Sequence, residues 1–275
     1  MKIRRDVTRR SRLSALCLAI GAMGLAAEPT SQAYADYFGD IATSLAVDRN
    51  GLWAVVHDIC LPAYQSIGLT FPCSEVNIAK GLDRGYAVLR APSSATHMIV
   101  VPMIRISGIE SPALLKENAP NYWEAAWGAR HFVEEGAGRR LPRDKIGMAI
   151  NSATTRSQDQ LHIHVTCVAP VVADFLRRHQ EEIRGGWSFL RLPLLGHRFA
   201  AMKIENDDLT NVDPFKFLAH GLPSGKFSMG GQTLAVIGAT FANGKSGFYI
   251  LTNGVEVSPR ATINAEALLD RKCSN

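Results

Sequence analysis

The 275-residue chain has five cysteines, and none of them is spaced to hold zinc. There is no His-Glu-x-x-His helix and no second His-x-His, so the usual metallohydrolase signatures are missing. No internal repeat or low-complexity tract appears, which leaves a globular chain with one domain plus elaborations. The body also lacks an excess of charge. The formal net charge is +5, but residues 1–35 hold six Lys/Arg against two Asp/Glu, so the remainder carries only +1. A balanced body offers no electrostatic footprint for nucleic acid. A long apolar run is missing too: Leu13 to Ala27 spans 15 residues, short of the ~20 that a spanning helix prefers.

What is present begins with that head. Arg4, Arg5, Arg9, Arg10 and Arg12 precede the apolar run, and Ala33-Tyr34-Ala35 follows it. This is the layout of a secretory signal cut before Asp36, with an uncleaved membrane anchor as the alternative. Either way the body, 36–275, leaves the cytoplasm. Cys17 falls in the leader, and Cys60, Cys73, Cys167 and Cys273 remain for an oxidising compartment, where three pairings are open. Cys60 and Cys73 flank a short Pro/Gly-containing loop and are the first choice for a bridge. Cys167 reads as a small buried hydrophobe.

The central stretch is Arg156-Ser157-Gln158-Asp159-Gln160-Leu161-His162-Ile163-His164-Val165-Thr166-Cys167. From Gln160 it alternates: Leu161, Ile163 and Val165 share one strand face, and Gln160, His162, His164 and Thr166 the other. Around it the pattern predicts a helical lead over 36–65 ended at Pro62, strands at 85–90 and 97–102, and a short helix at Ser111-Pro112. A longer helix is expected over 120–135, then strands at 145–151 and 160–168 and a helix from Pro170 to Ile183. Beyond Gly185-Gly186 a strand is expected at 197–204, and a helix capped by Asp213-Pro214. A hairpin over 232–252 should turn at Asn243-Gly244 in a type I′ geometry. The order β, β, α, β, β, α suggests an α+β fold with an antiparallel sheet.

Three tasks are open to the two imidazoles. They can be satisfied polar groups, or metal ligands with Asp159 or His97 as a third donor. They can also attack phosphorus, where a neutral imidazole forms a phosphoramidate and no cofactor is needed. His57, His131, His179, His197 and His220 read as packing or surface positions. Trp53, Phe71, Trp187 and Phe189 are candidates either for a membrane-facing rim or for ordinary core.

The central stretch resembles the active-site strand of the histidine-triad superfamily, His-φ-His-φ-His-φ-φ with a Ser five residues before the middle, nucleophilic His. In that register Gln160 replaces the first His, His162 is the nucleophile and His164 is the third His; the alternative register makes His164 the nucleophile. Thr96-His97-Met98-Ile99-Val100-Val101-Pro102 and Ala149-Ile150-Asn151 resemble two further strands of the superfamily, over about residues 75–185, with 186–275 as a β-rich elaboration. The leader, the Cys60…Cys73 spacing, Asn151-Ser152, the histidine stretch and the Thr233–Val236 region together resemble the bacterial CDP-diacylglycerol pyrophosphatase family.

That resemblance implies a histidine-triad-like α+β fold and hydrolysis of CDP-diacylglycerol to CMP and phosphatidate. It implies His162 and His164 as catalytic residues and Asn151, Ser157, Gln160 and His97 as substrate-binding ones, with no metal or other cofactor. A membrane surface is the expected partner, nucleic acid is not, and the location is the periplasmic side of the inner membrane or the periplasm itself. A soluble nucleotide substrate, or binding without catalysis, remains open at this point.

Overall fold

The computed structural model describes residues 48–92, 94–222, 228–254 and 263–274. The leader and residues 36–47 of the expected helical lead lie outside them. The described chain begins with a continuous helical segment, α1 (51–67), whose middle, Ala54–Cys60, has π-type hydrogen bonding. Pro62 lies within this helix rather than ending it; the helix closes at Gly68, in the left-handed region at φ 72°, where a glycine is unstrained.

Ten strands follow among the described residues: β1 (Cys73–Asn77), β2 (Tyr86–Arg90), β3 (Met98–Pro102), β4 (Ile146–Ile150), β5 (Ile163–Val168), β6 (Ser188–Phe189), β7 (Ala200–Ile204), β8 (Thr233–Thr240), β9 (Ser246–Asn253) and β10 (Leu269–Asp270). They form one antiparallel sheet in the order β1-β2-β3-β5-β4-β8-β9-β7-β6, with β10 pairing β5. This is the α+β class expected. The C-terminal strands extend the same sheet, because β8 pairs with β4.

Four more helices pack on it: α2 (Tyr122–Gly128), α3 (Arg130–Ala137), α4 (Pro170–Arg178) and α5 (Pro214–Ala219). The single helix expected over 120–135 is two, broken at Gly128-Ala129. Asn121 caps the first, accepting from the backbone N–H of Trp123 and Glu124, which fixes its start. Asp213 caps α5 as its sequence promised. The β8–β9 connection is longer than a two-residue turn. Gly244 is left-handed at φ 78°, but Asn243 is not among the non-glycine residues of positive φ, so a type I′ turn is ruled out.

One face of the sheet is sealed by large side chains. Met98, Val100, Met148, Leu161, Ile163, Val165, Val236 and Ile250 join Trp123, Trp127, Val133 and Phe215 in one buried cluster. The other face is defined by register. A cross-strand row runs Cys73–Leu89–Ile99–His164–Ala149–Ala235–Leu251–Ala201. At one end of the row Cys73 is bonded to Cys60, which ties α1 to this face. Towards the other end, Ala149, Ala235 and Leu251 pack with α4 and the short turn Ala265–Leu268. Gly147, on the same face of β4, makes room for the start of β10, which follows that turn: a Cβ there would lie 2.6 Å from Leu269 Cδ2.

The second disulfide corrects the reading of Cys167. That residue is buried, but it is bonded to Cys273 across 106 positions of sequence. The segment carrying Cys273 is thereby held to β5, an interior strand of the sheet, beside β10.

Candidate active site

β5 begins at Ile163, three residues later than the alternation suggests, because Gln160 and Leu161 are turned towards a neighbouring loop. Leu161 N–H donates to Ile106 O at 2.6 Å. The Gln160 amide donates to the backbone oxygens of Pro102 and Ile104 and accepts from Ile106 N–H. Fully buried and fully occupied, the Gln160 side chain is not free to hold a substrate oxygen. It ties the histidine strand to the loop after β3 instead.

His162 stands at the mouth of β5. Its Nδ1 lies 2.7 Å from Gln160 O. A carbonyl can only accept, so Nδ1 carries the proton and Nε2 holds the lone pair of a neutral ring. Nε2 has no hydrogen bond among the described residues. The two rings two residues apart meet edge to face, with centroids 4.9 Å apart.

His164 is wired differently. Its Nδ1 is 2.9 Å from His97 Nε2, at the entry to β3. Its Nε2 is 3.2 Å from Glu266 Oε1, within ion-pair range yet so angled that no hydrogen bond forms and the buried nitrogen is left unpartnered. Glu266 is held from other sides: Asn151 Nδ2 donates to Oε1 at 2.9 Å, and the Arg271 guanidinium grips Oε2. Asn151 Oδ1 in turn accepts from Ala265 N–H. Asn151 thus anchors the 265–268 turn beneath His164.

Burial is the first cause of the electrostatics here. It drives His97 down to about 4 and lowers both His162 and His164. Glu266 opposes the shift at His97 and His162, and Arg271 adds to it at His97 and His164. All three rings are therefore neutral at pH 7, the form in which imidazole is a nucleophile.

The loop before the strand is braced by ions. Arg156 pairs with Glu110 at 2.6 Å and Asp159 at 3.1 Å, and Arg49 grips both oxygens of Asp159 at 2.7 Å. Those two guanidinium groups hold Asp159 well below the usual carboxylate range, and they engage the carboxylate that the sequence offered as a third metal donor. Ser157 lies exposed on this loop.

Metal-type donors do converge, though not with Asp159. His97, His164 and Glu266 each bring a ligand atom within 4.8 Å of the others. The direct bond between the rings and the grip of Asn151 and Arg271 on Glu266 satisfy most of that donor set internally. Of the aromatic rim candidates, Trp187 and Phe189 pack against the core, and Trp187 Nε1–H donates to Phe217 O. Trp53 is half-buried and stacks on His57. Among the described residues no helix is long and apolar enough to cross a membrane.

Sequence reasoning brought His97, His162, His164 and Asn151 to one place but missed Glu266 and Arg271. Both stand about a hundred residues downstream in a stretch without motif or periodicity.

The family model described as CDP-diacylglycerol pyrophosphatase matches residues 47–275. The CDP-diacylglycerol pyrophosphatase of Yersinia pestis is 35% identical over 226 residues, which is 82% of this chain and 84% of the relative. The probable CDP-diacylglycerol pyrophosphatase of Mycobacterium leprae (strain TN) is 32% identical over 229 residues, 83% of this chain and 82% of the relative. The chain belongs to the CDP-diacylglycerol pyrophosphatase family.

Proposed function

We propose, with that membership as the premise, that the chain hydrolyses the pyrophosphate of CDP-diacylglycerol to CMP and phosphatidate through a nucleotidyl group carried on His162. The observation that carries the mechanism is the bond from His162 Nδ1 to Gln160 O. It fixes the ring's plane and tautomer and leaves Nε2 as the one nucleophilic atom of the pair, because both nitrogens of His164 face His97 and Glu266.

In the first step His162 Nε2 attacks the cytidine-side phosphorus. The bond from that phosphorus to the bridging oxygen breaks, and phosphatidate departs with its electron pair. The ring, still protonated at Nδ1, carries a positive charge that the Gln160 carbonyl faces. His164 Nε2–H, otherwise unpartnered, donates to a non-bridging oxygen. In the second step water attacks the same phosphorus, the P–N pair returns to Nε2, and CMP is released with loss of one proton to solvent. Ser157 and the loop backbone assist at the phosphate. Gln160 and Asn151 act by position rather than by contact with substrate, and His97 supports His164.

We take residues 1–35 as a leader and 36–275 as the hydrolase domain, working at the periplasmic side of the inner membrane. Two disulfides among the described residues support an oxidising compartment, and a substrate with two acyl chains supports a membrane surface.

The test is to incubate the chain with CDP-diacylglycerol labelled in the cytidine phosphate, quench, and map the adduct. An acid-labile, base-stable label on His162, lost in His162→Gln together with turnover, is the expected result. Turnover that survives His162→Gln, or a label on His164, overturns the assignment. Water-soluble CDP-alcohols added as competitors separate a lipid substrate from a soluble one.

A further inference from the structure

The mechanism leaves one arrangement unexplained. Two buried imidazoles, His97 and His164, share a single hydrogen bond, yet His97 Nδ1 and His164 Nε2 have no partner. Buried polar atoms without partners are rare and call for a reason. Only two neutral patterns are open to the pair, since one proton lies between the rings.

In the first pattern His97 Nε2–H donates to His164 Nδ1, and His164 carries its own proton on Nε2. In the second, His164 Nδ1–H donates to His97, and the Nε2 lone pair of His164 faces outward. Glu266 discriminates between them. Its Oε1 lies 3.2 Å from His164 Nε2. A lone pair at that distance from a buried carboxylate is repelled, whereas an N–H is attracted. The carboxylate is itself well fixed: Asn151 and Arg271 bind its two oxygens, and Asn264 caps its backbone N–H. The groups facing His164 are His97 from the entry to β3, His162 from its own strand, Glu266 from the 265–268 turn, and Arg271 after β10. Of these, Glu266 is the only one carrying a negative charge.

We propose that Glu266 is a positioning residue which selects the Nε2–H tautomer of His164, and through it the direction of the His97 hydrogen bond. The off-line angle is part of this role. The carboxylate biases the proton onto Nε2 without capturing it, so the N–H stays available for a phosphoryl oxygen. That last step rests on the hydrolase reading; the tautomer does not.

The experiment uses the full, oxidised chain labelled with ¹⁵N in histidine, without substrate, and assigns His164 by comparison with His164→Gln. In the unsubstituted chain His164 is expected to show a protonated Nε2 and an unprotonated Nδ1. In Glu266→Gln, whose amide keeps the size but can present N–H to Nε2, the opposite tautomer should become populated. There kcat should fall on the order of 10²-fold, with KM changed less than about threefold. Glu266→Asp keeps the carboxylate and should keep the tautomer and recover most of kcat. An unchanged tautomer in Glu266→Gln overturns the proposal, as does equal loss of kcat in both variants with the original tautomer. If the unsubstituted chain fails to turn over CDP-diacylglycerol, the hydrolase reading falls and the nitrogen shifts alone decide Glu266.

Discussion

The two faces of the sheet meet at β5, residue by residue. Leu161, Ile163 and Val165 point into a cluster of tryptophans and aliphatics, while His162, His164 and Thr166 point at polar atoms from distant parts of the chain. The apolar face is assembled from bulk: large side chains from α2, α3 and the strands fill it. The opposite face has an apolar cluster of its own, where α4 packs on Ala149, Ala235 and Leu251. Within it the two alanines leave room for the turn 265–268, which sets a carboxylate 3.2 Å from an imidazole. One face gives stability through volume. The other adds the candidate site to a smaller core.

Substitution at neighbouring residues separates these functions. His162→Gln should cut turnover by at least on the order of 10⁴-fold, measured as CMP release, because it removes the proposed nucleophile. Its melting temperature should stay within a few degrees of the parent. A large loss of stability there would mean that the polar face is also core.

Replacing Cys167 and Cys273 together by Ser should be next in size. A loop of about 100 residues gives a chain-entropy contribution of ~4.7 kcal/mol, against ~3 kcal/mol for a loop of about 15 such as that of Cys60–Cys73. Denaturant titration of the two double variants should rank them in that order. Only the first should also lower turnover, since it frees the segment that carries Glu266 and Arg271.

Leu161→Ala, one residue from His162 but facing the other way, should lose about 2–5 kcal/mol of unfolding free energy. The residual folded fraction should keep its turnover per molecule. Loss of both in proportion greater than the unfolded fraction would blur the contrast between faces.

The most gradual effect is on pH. His97, His162 and His164 are all held below the ordinary imidazole value of 6.5 by burial. The unfolded chain therefore binds more protons than the folded one between their folded values and 6.5. Their contribution is intact above pH 6.5 and is lost as pH falls, by up to about 1.4 kcal/mol per pH unit for each ring. Thermal melts from pH 7.5 to 5 should fall accordingly, and His97→Gln should flatten the slope. A melting temperature that rises on acidification would refute the neutral assignment.

Much of this contrast was legible in the sequence. Strict alternation around His162 and His164 is a local signal, and so are the Asn121 and Asp213 caps and the short Cys60–Cys73 loop. That β2, β3, β4 and β5 are strands followed from length and patterning. What was not legible has a common cause. The Cys167–Cys273 bond, the contact of Glu266 with His164, and the β4–β8 pairing that merges the C-terminal strands into one sheet all join residues about a hundred positions apart. No periodicity encodes such a contact. The bonds of Gln160 were hidden for a related reason: its alternation with His162 is real, but its amide is claimed by the backbone of residues 102–106, which alternation does not reveal.

Because Glu266, Arg271 and Cys273 stand about a hundred residues after the histidines, the two halves of the polar face emerge from the ribosome separately. At 5–20 residues per second, roughly 5–20 s separate them. During that interval the nascent polypeptide carries its imidazoles without the carboxylate beside them. Synthesis itself thus sets a delay before the contact of Glu266 with His164 can form.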